Sequence, residues 1–109
     1  MRWIKATKSH QVAGFGIMSY GKLKANLNLL AVRPEYRSRG IGQKILQILE
    51  ERAFDEGLQD FYVQVRESNT AAQRFYQRYG YEMIDRNARY YKNQEAAVIL
   101  YKYRPGGKP

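Results

Sequence analysis

Cysteine is absent from the 109 residues, which excludes a disulfide framework, a zinc-thiolate centre and a cysteine nucleophile. Histidine occurs once, as His10, between two polar residues in a predicted turn, and reads as a solvated surface residue. Carboxylates are missing from the first 34 residues, which carry six cationic side chains. Over the whole chain nineteen Lys and Arg stand against ten Asp and Glu, a net charge of +9, so an anionic partner is expected. No apolar run approaches the roughly 18 residues of a membrane span, and the N-terminus lacks the apolar stretch of a signal peptide. The expectation is a cytoplasmic protein with no membrane partner. The basic residues are scattered, without the aromatic-and-basic strand motif of an RNA-recognition sheet, so a dedicated nucleic-acid-binding motif is missing as well. The length fits one domain, assigned to residues 1–104, with Pro105 to Pro109 as a frayed tail.

What is present orders itself into strands and helices. Arg2 to Lys8 and Val12 to Tyr20 flank Ser9-His10-Gln11 and read as a hairpin, with Gly14 and Gly16 marking a bulge or a close backbone approach. Trp3 is expected as an edge or core anchor. Ala25 to Val32 alternates Asn26 and Asn28 with Leu27 and Leu29, then turns wholly apolar at Leu30-Ala31-Val32, as a strand running into a core does. Pro34 stops it. Between Gly40 and Gly57, Ile41, Ile45, Ile48, Leu49 and Ala53 repeat at helical spacing, with Glu50, Glu51, Arg52, Asp55 and Glu56 placed toward solvent. Phe61 to Val65 is a short β-rich run. Ser68-Asn69 offers an N-cap to a second helix that carries Ala72, Phe75, Tyr76 and Tyr79 and ends at Gly80. Strands over about Tyr81 to Arg86 and Ala96 to Tyr103 complete the chain. The alternation predicts an α/β fold with a mixed sheet of about six to seven strands and two main crossover helices.

Arg37-Ser38-Arg39-Gly40-Ile41-Gly42 lies between a predicted strand and the long helix, so backbone N–H groups and the positive helix terminus converge on one spot suited to an anion. Two glycines let a phosphate approach the backbone, and Arg33, Arg37, Arg39 and Lys44 surround it. The stretch is not a Walker A loop, having no Gly-Lys-Ser/Thr, and the dinucleotide fingerprint fails because Ile45 occupies the place of its third glycine. Alone, a Gly-x-Gly at a helix start reads equally as a structural turn.

Taken with Leu30-Ala31-Val32 before it and Ser68-Asn69, Ala72, Tyr76 and Gly80-Tyr81 after it, the ordered set resembles the acetyl-CoA signature of the GNAT superfamily of N-acetyltransferases, across about Leu27 to Tyr101. Within that superfamily, Val65-Arg66-Glu67-Ser68-Asn69, Arg86-Asn87 and Tyr90-Tyr91 most resemble the ribosomal-protein N-terminal (alanine) acetyltransferases. The resemblance implies a GNAT fold in which the strand ending at Leu30, Ala31 and Val32 splays from its neighbour and pairs with the pantetheine arm of CoA. It implies a pyrophosphate cradle from Arg37, Ser38, Arg39, Gly40, Ile41, Gly42 and Gln43, and a further contact to the CoA arm from Asn69. Tyr76 matches the general acid to the leaving thiolate, and Tyr90 and Tyr91 match paired tyrosines at the acceptor groove. The implied reaction is direct attack of an amine on acetyl-CoA, with no covalent enzyme intermediate and no metal.

Three departures qualify that picture. Gln64 stands where the related N-terminal acetyltransferases place a glutamate as general base, and the alternative position used in the superfamily falls near Asn26. An amide cannot take a proton, so Gln64 is left an orienting role. Ala96 replaces the acidic residue usual after Glu95. Enzymes of this type also begin with a further strand and one or two helices that wall the acceptor side, so the chain is expected to be a short form that starts at their second strand. Its acceptor site would be open, or closed by a second subunit in a homodimer paired through the exposed sheet edge. Deprotonating an α-amine of pKa about 8 at pH 7 costs roughly 1.4 kcal/mol, against roughly 4.6 for a lysine. The expected acceptor is therefore a low-pKa amine: a protein N-terminus, a ribosome- or tRNA-linked amine, or a weakly basic small molecule. The alternative is a CoA-binding regulatory module with little or no turnover.

Overall fold

The structure, a computed structural model, describes residues 2–8 and 11–106; His10 and the end of the predicted tail, 107–109, lie outside them. Among the described residues six strands and two α-helices follow in the order β1 (Arg2–Lys8), β2 (Gln11–Tyr20), β3 (Lys24–Val32), α1 (Ile41–Asp55), β4 (Asp60–Arg66), α2 (Thr70–Arg78), β5 (Glu82–Asn87) and β6 (Ala97–Tyr103). They form one mixed sheet in the spatial order β1-β2-β3-β4-β6-β5. Every neighbouring pair is antiparallel except β3 and β4, which run parallel with α1 as their crossover.

Helix α1 lies flush on β2 because Gly14 and Gly16 have no side chains to hold it off. A Cβ at Gly16 would stand 2.8 Å from Ile45 Cγ2 and 2.9 Å from Leu49 Cδ1, and one at Gly14 would stand 2.7 Å from the Ala31 carbonyl oxygen. Close approach, not a bulge, is thus what these glycines serve. The extra residues fall elsewhere. The register passes from Ala6↔Gly14 to Thr7↔Val12, which leaves Ala13 over in β2, and from Ile17↔Leu29 to Met18↔Leu27, which leaves Asn28 over in β3.

Side chains from both helices share one core with Met18, Leu27, Phe61, Val63, Val98 and Leu100, so α1 and α2 cover the same face of the sheet. Two expectations are corrected here. Trp3 is 61% exposed and anchors nothing in the core: its strand neighbour Ile4 packs inward, and alternation turns Trp3 to the reverse face. Glu50 does not face solvent but is 4% exposed. It accepts hydrogen bonds from the Tyr81 hydroxyl at 2.7 Å and from Lys102 Nζ at 2.8 Å, partners that lie 31 and 52 residues away in sequence. The buried stripe of α1 accordingly runs Ile45, Leu46, Leu49, Glu50 and Ala53, with Ile48 only half-buried.

The feature that positions the site is the parallel pair. β3 and β4 are bonded only from Lys24↔Asp60 to Leu27↔Val63. Beyond the bulge at Asn28, β3 stays with β2 as far as Val32, while β4 stays with β6 as far as Arg66. The sheet splits between them.

Candidate active site

Past the split, the end of β3 has a backbone edge with no strand partner on the β4 side among the described residues. Such an edge offers N–H and C=O groups to anything that can lie along it. The chain then turns through Pro34–Tyr36, a short 3-10 segment, into a loop where Ser38 (φ 63°) and Gly40 (φ 77°) both adopt left-handed backbone. That conformation is strained for Ser38 and marks a segment shaped for something other than local comfort. Arg37 Nε donates to the Val32 carbonyl at 3.2 Å, tying the loop to the end of the open strand. Helix α1 starts with Gly40 at its N-cap and no side-chain cap. Its first intrahelical bond runs from Lys44 N–H to the Gly40 carbonyl at 3.0 Å. The first-turn N–H groups and the positive helix end are therefore left for an external acceptor.

Open strand, loop, helix start and α2 enclose one open cleft of about 700 Å³, within the range of small-molecule and cofactor sites. Of the residues singled out in the sequence, Leu30, Ala31, Val32, Arg37, Ser38, Gly40, Ile41, Gly42, Gln43, Asn69 and Tyr76 all line it. Arg39, Gln64, Tyr90 and Tyr91 are not in its lining. Arg39 instead lies over the Tyr36 ring, 5.5 Å from its centroid. Tyr36, Phe75, Arg78 and Tyr79 also wall the cleft and had no site role in the sequence reading. Phe75 and Tyr79 carried the periodicity of a buried helix face, a signal that does not separate a core wall from a cleft wall. The available signal for Arg78 was its position three residues after Phe75, the spacing of same-face neighbours on a helix.

Asn69, and not Ser68, caps α2: its side-chain oxygen accepts the Ala72 N–H at 3.1 Å. With Oδ1 so engaged, its amide NH₂ remains as a donor at the cleft. Tyr76 is the buried side chain of α2. Its ring is held edge-on between Phe75, 5.2 Å away, and Tyr81, 5.6 Å away. Burial pushes its phenol up to about 12, so it is protonated throughout the physiological range.

Gln64 is exposed on β4, one residue past the split and paired with Ile99, while its neighbours Val63 and Val65 are buried on the helix side. Alternation places Gln64 on the reverse face, together with half-buried Asn26, whose register partner is Tyr62. The two amides thus flank the split from the side opposite the cleft.

Tyr90 and Tyr91 sit in the β5–β6 connection with ring centroids 5.1 Å apart. Arg66 lies over Tyr91, 3.9 Å from its centroid, and pairs with Glu95 at 3.3 Å. Glu95 also accepts the Ser68 N–H at 2.9 Å and the Ser68 hydroxyl. One carboxylate therefore ties the tyrosine loop to the turn that carries Asn69. Glu67 and Arg86 add a two-pronged pair between the same turn and β5. The hydrogen bonds from Ser68 hold the Glu95 carboxyl well below its usual 4.5, at about 2. A depressed carboxyl stabilises the fold above its unfolded-state value and loses that contribution as pH falls through 4.5 toward 2. Glu95→Gln is expected to lower the thermal midpoint at pH 7, with the gap to the parent closing between pH 4.5 and 2. Melts across that range that show a constant gap would remove the charge from this account.

Residues 1–81 match the acetyltransferase (GNAT) family. Over 101 residues the chain is 36% identical to an uncharacterized N-acetyltransferase of Methanocaldococcus jannaschii, covering 90% of this chain and 64% of that one. Over 104 residues it is 31% identical to the ribosomal protein bS18-alanine N-acetyltransferase of Haemophilus ducreyi, covering 92% and 72%. The crystal structure of the ribosomal-protein-S18-alanine N-acetyltransferase of Escherichia coli superposes with a TM-score of 0.84 at 26% identity, over 96% of this chain and 71% of that one. The chain spans roughly two thirds of the length of the proteins it matches. With its motifs in the same order, its split mixed sheet and a family match over most of its length, the chain belongs to the acetyltransferase (GNAT) family.

Proposed function

We propose that this chain, an N-acetyltransferase by family with acetyl-CoA as its cosubstrate, moves the acetyl group to an amine of low pKa, for which a protein N-terminus is the first candidate. The observation that carries this reading is the coincidence of the split with the uncapped start of α1. One cleft offers a strand edge to an amide-bearing arm and a positive helix terminus to phosphates, with Tyr76 in its wall.

In this reading the open edge at Leu30–Val32 pairs with the amides of the pantetheine arm, and Asn69 donates to the same arm. The first-turn N–H groups of α1 and the guanidinium of Arg37 hold the pyrophosphate. The amine enters from the reverse face through the split and attacks the thioester carbonyl carbon. The C–N bond forms, the C–S bond breaks, and the proton shed by nitrogen ends on sulfur. Tyr76 does not surrender its proton outright: from a phenol at about 12 to a thiolate of ordinary pKa about 8.5, that step is uphill by about 5 kcal/mol. It donates a hydrogen bond to sulfur as charge builds there, and any proton it passes on is replaced from nitrogen in the same event.

Gln64 and Asn26 orient the incoming amine or a water, and neither can deprotonate it. The amine must therefore arrive neutral, which favours an α-amine over a lysine by about 3.2 kcal/mol at pH 7, roughly two-hundredfold in rate. Lysine-free peptides with a free N-terminal alanine are expected to be acetylated far faster than N-blocked peptides with one lysine. Faster lysine transfer at pH 7 overturns the acceptor assignment. The amides at both base positions favour one other reading, a CoA-binding module without turnover, and amine-dependent thiol release from acetyl-CoA distinguishes it.

A further inference from the structure

Helix α1 carries a buried carboxylate that takes no part in the cleft. A carboxylate in that setting persists only with strong partners, and Glu50 has two, the Lys102 ammonium of β6 and the Tyr81 hydroxyl. Tyr81, 2% exposed, in turn grips Tyr76 twice. Its ring stands edge-on at 5.6 Å, and its backbone N–H donates to the Tyr76 carbonyl at 3.0 Å. Beside Glu50 and Lys102 opens a cavity of about 190 Å³, bordered also by Gln43 and Tyr79. Close packing is interrupted there, so packing alone does not fix Glu50 and Lys102, while the Tyr81 ring itself is enclosed in the core. The hydroxyl bond to Glu50 ties the far end of the enclosed Tyr81 ring to α1.

We propose that Glu50 is a positioning residue for acetyl transfer: acting through the Tyr81 hydroxyl, it fixes the ring that sets Tyr76 in the cleft wall. The inference rests on the assignment of Tyr76 as hydrogen-bond donor to sulfur. It places a helix-face carboxylate outside the cleft in the control of the reaction, and it couples α1, which holds the phosphates, to α2, which holds the donor.

The test is a double-mutant cycle on kcat with acetyl-CoA and a lysine-free alanine-starting peptide. Tyr81→Phe keeps the ring and removes the bond. It is expected to lower kcat about fivefold, a typical coupling for residues in contact, with the KM for acetyl-CoA within twofold. Added to Tyr76→Phe, it should cause no further loss. Glu50→Leu frees the same hydroxyl while filling the space, and its loss should vanish in the Tyr76→Phe background in the same way. Leu58→Ala controls for stability: it removes buried apolar surface beyond the C-terminal end of α1, away from the cleft and from the Glu50–Tyr81 bond, so kcat should stay within twofold of the parent. If Tyr81→Phe or Glu50→Leu lowers kcat by the same factor in both backgrounds, the positioning role is overturned and the assignment of Tyr76 survives. If Tyr76→Phe has full activity, the assignment of Tyr76 falls and the positioning role with it.

Discussion

Replacing Tyr76 by phenylalanine is expected to lower kcat for acetyl transfer by about a hundredfold, the lower end of what a positioned proton donor contributes, with the KM for acetyl-CoA nearly unchanged. The substitution is clean because the ring makes its contacts with Phe75 and Tyr81 through carbon edges, and these survive. What is lost is one hydroxyl in the wall of the cleft, so the loss should appear in kcat rather than in binding. With the phenol at about 12, the parent enzyme should show no loss of donor function from pH 6 to 10. A group with a raised pKa keeps its protonated form at all pH values below that pKa. Steady-state rates for the two proteins over that interval should run parallel. Equal kcat values would remove Tyr76 from the chemistry.

The second large effect concerns the fold. Gly16→Val is expected to destabilise the protein by about 3 kcal/mol, the upper part of the usual range for overpacking, and to lower the thermal midpoint by roughly 15 °C for a domain of this size. The first carbon of any side chain at 16 would already sit 2.8 Å from Ile45 and 2.9 Å from Leu49, and both belong to the buried stripe of α1. Neither can retreat into solvent, so the helix itself must lift. Because the start of that helix also lines the cleft, acetyl-CoA affinity should fall together with stability. A variant that melts within 3 °C of the parent would show that α1 can adjust without strain.

Much of the cleft was legible in the sequence because its parts announce themselves locally. Leu30-Ala31-Val32 ends at a proline, Arg37 to Gly42 carries turn residues at a helix start, and Asn69 is a cap at a fixed interval before Tyr76. Each signal is set by backbone chemistry within a few residues. Glu50 was misplaced because only tertiary contact brings Lys102 and Tyr81 to it; by spacing alone a glutamate beside Leu49 belongs in water. Trp3 failed for a related reason. A large aromatic on an edge strand suggests an anchor, but the strand's alternation gives the core to Ile4 and leaves the indole on the reverse face. The placement of Gln64 and Asn26 on that same face depended on knowing the register at Val63, and the pattern of leucines and asparagines in β3 does not reveal that Asn28 is the residue skipped.

The two glycines of β2 have a bearing on which acyl carriers the site can use. They seat α1 directly on the strands beside the open edge, so in the proposed mode of binding the edge that takes the arm and the helix start that takes the phosphates move together. Their separation is a built-in ruler. A carrier is admitted when the stretch between its acyl end and its phosphates has the right reach. Acetyl phosphate, which has no arm to span that distance, is expected to be a poor donor, and transfer assays with it in place of acetyl-CoA check this. In the proposed mode of binding, selectivity for CoA would be metric and set in part by the absence of two side chains in β2.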